Sequence, residues 1–391
     1  MKNHHFGKKN GTITVRVMCA VLFCLFSFCW LYWFQADVLA VAQHVLSNGM
    51  THYHRFVGAV LITALLLLLQ QLVGIVTRQY RRAHALTFLP SMLILMVISD
   101  VNTDIDRHFS MGGWWIAIPI ILLIWGVALW LARQLSSVDA DSDSAGLFSR
   151  RMWINALTLC VMMLAVALVG NTNAVFHFRA HAEVALCSGD YDEALRVGQR
   201  SDETDASLTM LRIYALSKKN QLGEQLFSYP VSGSSADMLP AAKSGSRLVL
   251  LPTDSLWRHL GSRPSATMNA GRFLQALKQD TLATPAVAHY VLCSHLIDRD
   301  IDAFVSDLQH YYTLTDSVCN ALPRHYREAL TLYTHLRSMP SVAYRNAVMD
   351  EDWANLQELE RTYQQPSERM GAVANKYRGS YWFYYFYTAA K

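Results

Sequence analysis

Apolar residues crowd the first 170 positions into five runs: Ile13–Phe34, Phe56–Val76, Leu86–Ser99, Trp114–Leu131 and Met152–Val169. A helix needs about 20 apolar residues to cross the core of a bilayer, with a range of about 17–25. Four of the runs meet that length. The third is short and carries Pro90, a residue that usually kinks a membrane helix. It crosses only if Ala83–Ala85 and Val101 are recruited, giving a span over 83–101, or if its neighbours bury it. Asp100 marks its outer end, because a carboxylate at mid-membrane costs about 2.5–3.5 kcal/mol.

From Asn171 onward the pattern changes. Leu208, Leu211 and Ala215 form one stripe at three- and four-residue spacing, and Phe304, Leu308 and Tyr311 form another, which is a helical period. No long stretch alternates as a strand would. The segment 231–269 follows Pro230, contains Pro240, Pro252 and Pro264 and is rich in Ser and Gly, so it is expected to be loop-rich. Helices are expected at Ala270–Asp280, Ala286–Ile297, Ile301–Tyr312, Arg324–Arg337, Val342–Met349 and Trp353–Tyr363, with a last one from about Glu368. The predicted fold class is all-α. A transmembrane bundle of about five spans fills 1–170 and hands over, with little or no linker, to a water-soluble helical region over 171–391.

Charge changes this picture by giving the bundle a direction. Residues 1–170 hold 12 Lys/Arg and 7 Asp/Glu, and the remainder holds 22 and 23. Lys2, Lys8, Lys9, Arg16, Arg78, Arg81, Arg82, Arg133, Arg150 and Arg151 fall in one set of alternating connections. Only Arg55 and Arg107 fall in the other. Cytoplasmic loops of membrane proteins carry the excess of Lys and Arg. The N-terminus is therefore expected in the cytoplasm, and five spans place the tail outside it. In a bacterium that means an inner-membrane protein with a periplasmic C-terminal domain. The first run resembles a signal peptide, with Ala40-Val41-Ala42 as a small-x-small site. Its length exceeds the usual h-region, so a retained anchor is expected. The nearly neutral tail lacks a basic run and so argues against nucleic acid as a partner.

Candidate chemistry is sparse. Of the seven cysteines, Cys19, Cys24, Cys29 and Cys160 lie in apolar runs. Cys187, Cys293 and Cys319 lack the spacing of a zinc site or a disulfide framework. Asp139, Asp141 and Asp143 begin like a calcium loop, but Ser144 and Arg150 stand where Gly and the closing Glu belong. No phosphate loop, hydrolase elbow, HExxH or cofactor motif is present. The predicted topology does gather polar residues at one membrane face. They are Asp37, His44, His52 and His54, then Asp100, Asp104, Asp106 and His108, then His177 and His181 at i, i+4. His with carboxylate is a metal-ligand set. Two sets of residues follow if the face is an active site: Asp37, Asp104 and His181 as catalytic groups, and His52, His54, His177 and His181 as metal ligands. The alternative reading is that these residues keep loops wet and end helices.

Gly189-Asp190-Tyr191-Asp192-Glu193-Ala194-Leu195 resembles the turn and second-helix start of a tetratricopeptide repeat (TPR). Asn220-Gln221-Leu222-Gly223 lies 31 residues on, near the 34-residue period of that family, and Tyr326-Arg327-Glu328-Ala329-Leu330 echoes the same core. Phe56-Val57-Gly58, Ala215–Pro230 and Lys376–Tyr387 make the whole chain resemble an uncharacterised family of Bacteroidales inner-membrane proteins with a TPR-like tail. That resemblance implies architecture and location but no activity. An Asp just after the first span is similar to membrane glycosyltransferases that use lipid-linked sugars, for which Asp37 would be the catalytic carboxylate.

Two functions are therefore open. One is a membrane-anchored interaction protein, whose partners are the lipid bilayer and a protein or peptide outside the cytoplasm. The other is an envelope enzyme using the outer-face Asp and His residues. The seven consecutive aromatics Tyr381–Tyr387 surround a helix. They suit a segment that covers the exposed apolar end of a repeat array, or else an anchor for a partner.

Overall fold

A computed structural model describes residues 3–78, 83–107, 110–136 and 149–388. His108, Arg81, Arg82 and the calcium-like Asp139, Asp141 and Asp143 lie outside the described residues. All regular structure in the described residues is helical, with no β-strand. The chain divides into two compact units, Met1–Ala180 and His181–Lys391.

In the first unit, α1 (Asn3–Cys29) runs into a π-helical turn at Trp30–Phe34, followed by α2 (Ala36–Leu46) and α3 (Arg55–Thr77). A 3₁₀ segment, His84–Phe88, opens α4 (Leu89–Ser99), and α5 (Trp114–Ser136) and α6 (Arg150–Val169) complete the bundle. Four helical stretches are long and apolar enough to cross a bilayer: Ile13–Phe34, Arg55–Thr77, Trp114–Gln134 and Arg150–Val169. They are compatible with a membrane protein. The short third run is the centre of the unit. Phe88, Met92 and Leu95 are fully buried and pack with Phe23 of α1, Leu66 of α3 and Leu159 of α6. Its 3₁₀ turn stretches it, so that 84–99 reaches about 26 Å from only 16 residues. Pro90 sits in the first turn of α4, where a missing N–H leaves no helical bond unmade, so it starts the helix instead of kinking it.

Polar side chains pin this centre at both ends. Asn155 Oδ1 accepts the Ala85 amide at 2.8 Å, and Gln70 Nε2 donates to Thr87 Oγ1 at 2.9 Å. Ser91 Oγ donates to the Leu66 carbonyl at 2.7 Å. At the other end Trp30 Nε1 donates to Ser99 Oγ at 2.8 Å, and the Asn171 amide donates to the Ser99 carbonyl at 2.9 Å. Such bonds hold weight where no water can replace them. Helix α5 is peripheral. It is tied by Trp125 Nε1 to the Leu86 carbonyl and by Arg133 to the Thr77 carbonyl, and it leaves Ile116 and Leu123 about 70% exposed. The connection after the first run, read from sequence as a loop, contains the helix α2. Val38 and Val41 are buried there, a short apolar pattern that polar neighbours mask in the sequence.

The unit boundary falls within α7 (Ala174–Cys187). The second unit continues with α8 (Tyr191–Arg196), α9 (Ala206–Lys218) and the single turn α10 (Leu222–Gln225). A long irregular stretch then precedes α11 (Thr253–Leu260) and α12 (Ala270–Leu277). The hairpin of α13 (Ala286–Ile297) and α14 (Ile301–Tyr311) leads through α15 (Asp316–Ala321) to α16 (Arg324–Leu336). The chain closes with α17 (Ala347–Thr362), α18 (Pro366–Tyr377) and α19 (Tyr381–Tyr387). Two expectations are corrected here. The helix expected over Val342–Met349 begins only at Ala347, as the first turn of α17: Asn346 caps it by accepting the Val348 and Met349 amides, and 342–346 is not helical. The last helix is two, because Ser380 breaks the run and caps α19 through the Phe383 amide.

Three helix–helix turns of this unit share one geometry. Gly189, Asn220 and Arg299 each take a left-handed φ, at 76°, 54° and 61°. In each, the next amide reaches back five residues: Asp190 to the Ala185 carbonyl, Gln221 to Leu216 and Asp300 to His295, at 2.8–2.9 Å. This is the Schellman closure that satisfies the last carbonyls of a helix. Asp190 and Asp300 then cap the following helix, accepting the Glu193 and Ala303 amides at 2.9 Å. Tyr326 is different, since α16 is entered through extended Leu322 and Pro323 without such a turn.

Candidate functional site

The predicted outer-face residues that the structure describes sit in local surroundings of their own. Asp37 sits in the first turn of α2, and Asp104 is exposed in the segment after α4, where its amide bonds Asn102 Oδ1. Asp106 is exposed beside it. His44 and His52 do come together, their rings stacked at 6.3 Å. His54 caps α3, its ring accepting the Val57 amide. His177 bonds the Asn171 carbonyl through Nε2 at 2.8 Å, whereas His181 bonds Glu193 Oε1 at 3.2 Å in the second unit. Among the described residues, no three His, Cys, Asp or Glu are grouped so as to hold a metal ion. Asp100 ends α4, and its Oδ2 accepts from Trp114 Nε1 at 2.8 Å.

The polar groups with built surroundings lie in the second unit, and sequence reasoning passed over them. Glu183, buried on α7, accepts three consecutive amides with one oxygen: Val249 at 2.9 Å, Leu250 at 2.5 Å and Leu251 at 3.1 Å. It anchors the loop-rich segment to the helices. Glu328 on α16 does the same for the last helix. Its Oε2 accepts the Tyr381 amide at 2.7 Å and faces His325 Nδ1 at 2.9 Å, and Oε1 accepts from Arg324 at 2.8 Å. Burial raises the pKa of this carboxyl, but His325, Arg324 and the Tyr381 amide outweigh burial and hold it below its ordinary value. At the far end of α19, Arg299 donates to the Tyr384 and Thr388 carbonyls and lies 5.0 Å from the Tyr384 ring. An anion at the N-terminus and a cation at the C-terminus both favour the helix dipole. Tyr381 and Trp382 are buried by this docking. The repeat-like sequence "Asp-Ile-Asp" after Arg299 was the available signal, but Arg is not a residue that favours a left-handed turn.

Two clusters look catalytic and are packing instead. Ser217 Oγ lies 2.7 Å from His259 Nε2, a nucleophile–base distance. Yet Ser217 is 3% exposed and also bonds buried Tyr290. Burial, with Lys218 nearby, lowers the His259 pKa to about 4. Cys293 is buried beside the Tyr326 hydroxyl, and burial pushes its thiol up to about 12, far from a thiolate nucleophile. Asp307 receives both Lys278 and His295, the latter at 2.7 Å, in a partly buried ion cluster tying α12, α13 and α14. Burial raises its carboxyl, and the two hydrogen bonds bring it below the usual range. Cys19, Cys24, Cys29, Cys160, Cys187 and Cys293 are free thiols.

Residues 265–388 match the model of a family of unknown function, DUF6057. No curated protein and no solved structure matches the chain. The matched stretch contains Asp307, Arg299, Glu328 and α19, the groups that assemble the end of the second unit.

Proposed function

We propose that the chain is a membrane-anchored interaction protein. The first unit sits in the inner membrane of a bacterium with its N-terminus in the cytoplasm. Residues 171–391 form a TPR-like helical domain in the periplasm that offers its surface to a protein or peptide. The single observation that carries this reading is the shared geometry of the turns at Gly189, Asn220 and Arg299. Helical hairpins joined by one repeated turn stack into arrays whose exposed faces serve as binding surfaces. The docked α19 supports it as well, since an array needs its last apolar face covered. The resemblance to Bacteroidales membrane proteins with TPR-like tails points the same way. So does the excess of Lys and Arg on one set of connections, which supports the stated orientation.

Paired reporter fusions after Lys391 test the placement. A reporter active only outside the cytoplasm is expected to work, and one active only inside is expected to fail. The reverse result overturns the orientation. Asp37→Ala, Asp104→Ala and His181→Ala test the interaction reading against an enzyme. The phenotype of a deletion strain is expected to be rescued by all three variants. Loss of rescue confined to these sites, with the protein still folded, would sink it.

A further inference from the structure

A cleft of about 590 Å³ opens at the end of the first unit where α4 stops, α5 begins and α6 has just ended. That volume lies within the range of small-molecule sites, about 300–1,000 Å³. Val97 and Ala117 give it apolar wall, and Asp100, Ser110 and Trp114 give it polar wall. Asp100 is exposed and spends one oxygen on Trp114 Nε1, while no described residue bonds Oδ1. It also ends α4, where the helix dipole already places partial negative charge, so two like signs meet at one point. A cation in the cleft relieves this, and an indole at the wall adds to its attraction.

The level of the cleft selects the kind of cation. Trp115 and Trp130 are both exposed on α5. Fifteen residues of helix separate them by about 22 Å, so they stand toward opposite ends of the apolar run, and exposed Trp is enriched at membrane–water interfaces. The cleft lies at the Trp115 end, and exposed Ile116 and Ile120 continue from it along α5. On the reading that this unit crosses the bilayer, we infer that the cleft binds the primary ammonium of a phosphatidylethanolamine headgroup. Asp100 is its counter-ion, Trp114 its aromatic wall, and Val97 with Ala117 face the glycerol end. A primary ammonium donates hydrogen bonds to a carboxylate, which a choline headgroup cannot do.

The test uses the full chain in vesicles of phosphatidylcholine and phosphatidylglycerol, with or without phosphatidylethanolamine. Lipid retained after gentle detergent extraction is counted by native mass spectrometry. Wild type is expected to retain phosphatidylethanolamine at least tenfold over phosphatidylcholine, and Asp100→Asn to lose that preference while phosphatidylglycerol retention is unchanged. Trp114→Phe is expected to weaken it, which covers the case that the Asn variant does not fold. Equal retention of the two zwitterionic lipids, or a wild-type preference in a folded Asp100→Asn protein, overturns the inference. So does saturation by soluble glycerophosphoethanolamine at the same concentration, which would make the ligand a free amine. Alkaline carbonate extraction separates the two readings. Release of the protein from membranes defeats the membrane reading itself, while retention without lipid preference defeats only the site.

Discussion

Glu328 is the residue on which most of the second unit's end converges. Its carboxylate serves a buried His, an Arg and the first amide of α19 at once. Glu328→Ala strands those donors in a buried site, and removing one member of such a group costs about 3–5 kcal/mol. A large drop in thermal midpoint of the detergent-solubilised chain is the expected outcome, and an unchanged midpoint would contradict the assigned role. His259 sets a pH dependence. Its folded pKa is near 4 against an ordinary 6.5, so the unfolded chain binds the extra proton between those values. Stability therefore falls as pH drops from 6.5 toward 4. His259→Gln is expected to flatten that slope in melting curves taken across the window. Neither residue stands out in the sequence, because each depends on partners far along the chain: Glu328 meets Tyr381, and His259 meets Ser217.

Helices here are held by their ends. Asp190 and Asp300 each cap the second helix of a hairpin, and replacing such a cap by Ala costs about 0.5–2 kcal/mol. Asp300→Ala and Asp190→Ala are each expected to lower stability by that amount, read as a fall of a few degrees in the melting midpoint. Arg299→Ala removes both donors to the C-terminal carbonyls of α19. Hydrogen exchange over 381–388 is expected to quicken in that variant while α13 and α16 stay protected. Uniform quickening across the unit would mean that α19 is not a separately docked element. Sequence periodicity located α13, α14 and α16 to within a residue or two. It missed α2, whose buried Val38 and Val41 are masked by polar neighbours, and the six-residue α15, and it joined α18 to α19 because nothing in the pattern marks Ser380 as a cap.

For the molecule as a whole, the ends of the first unit are sorted by composition. Ser99, Trp114 and Gly170 meet at one end, and Thr77, Ala85, Arg133 and Asn155 at the other. In a cysteine-free background, Thr172→Cys is expected to react with an impermeant thiol reagent on intact cells, and Arg78→Cys only after permeabilisation. Labelling of both on intact cells would contradict the alternation. The all-α class, the apolar runs and the switch to a 3.6-residue period were legible without coordinates, because burial in lipid or in a helical core acts on each stretch of chain locally. Two matters needed the folded chain. One is the central place of the short 84–99 run, which is set by the neighbours that bury it. The other is the set of groups that gather at a site: His177 and His181 look paired in sequence yet face different partners, while Asp100 and Trp114 meet across a turn. Proximity of that kind depends on how helices close on one another, which no local pattern encodes.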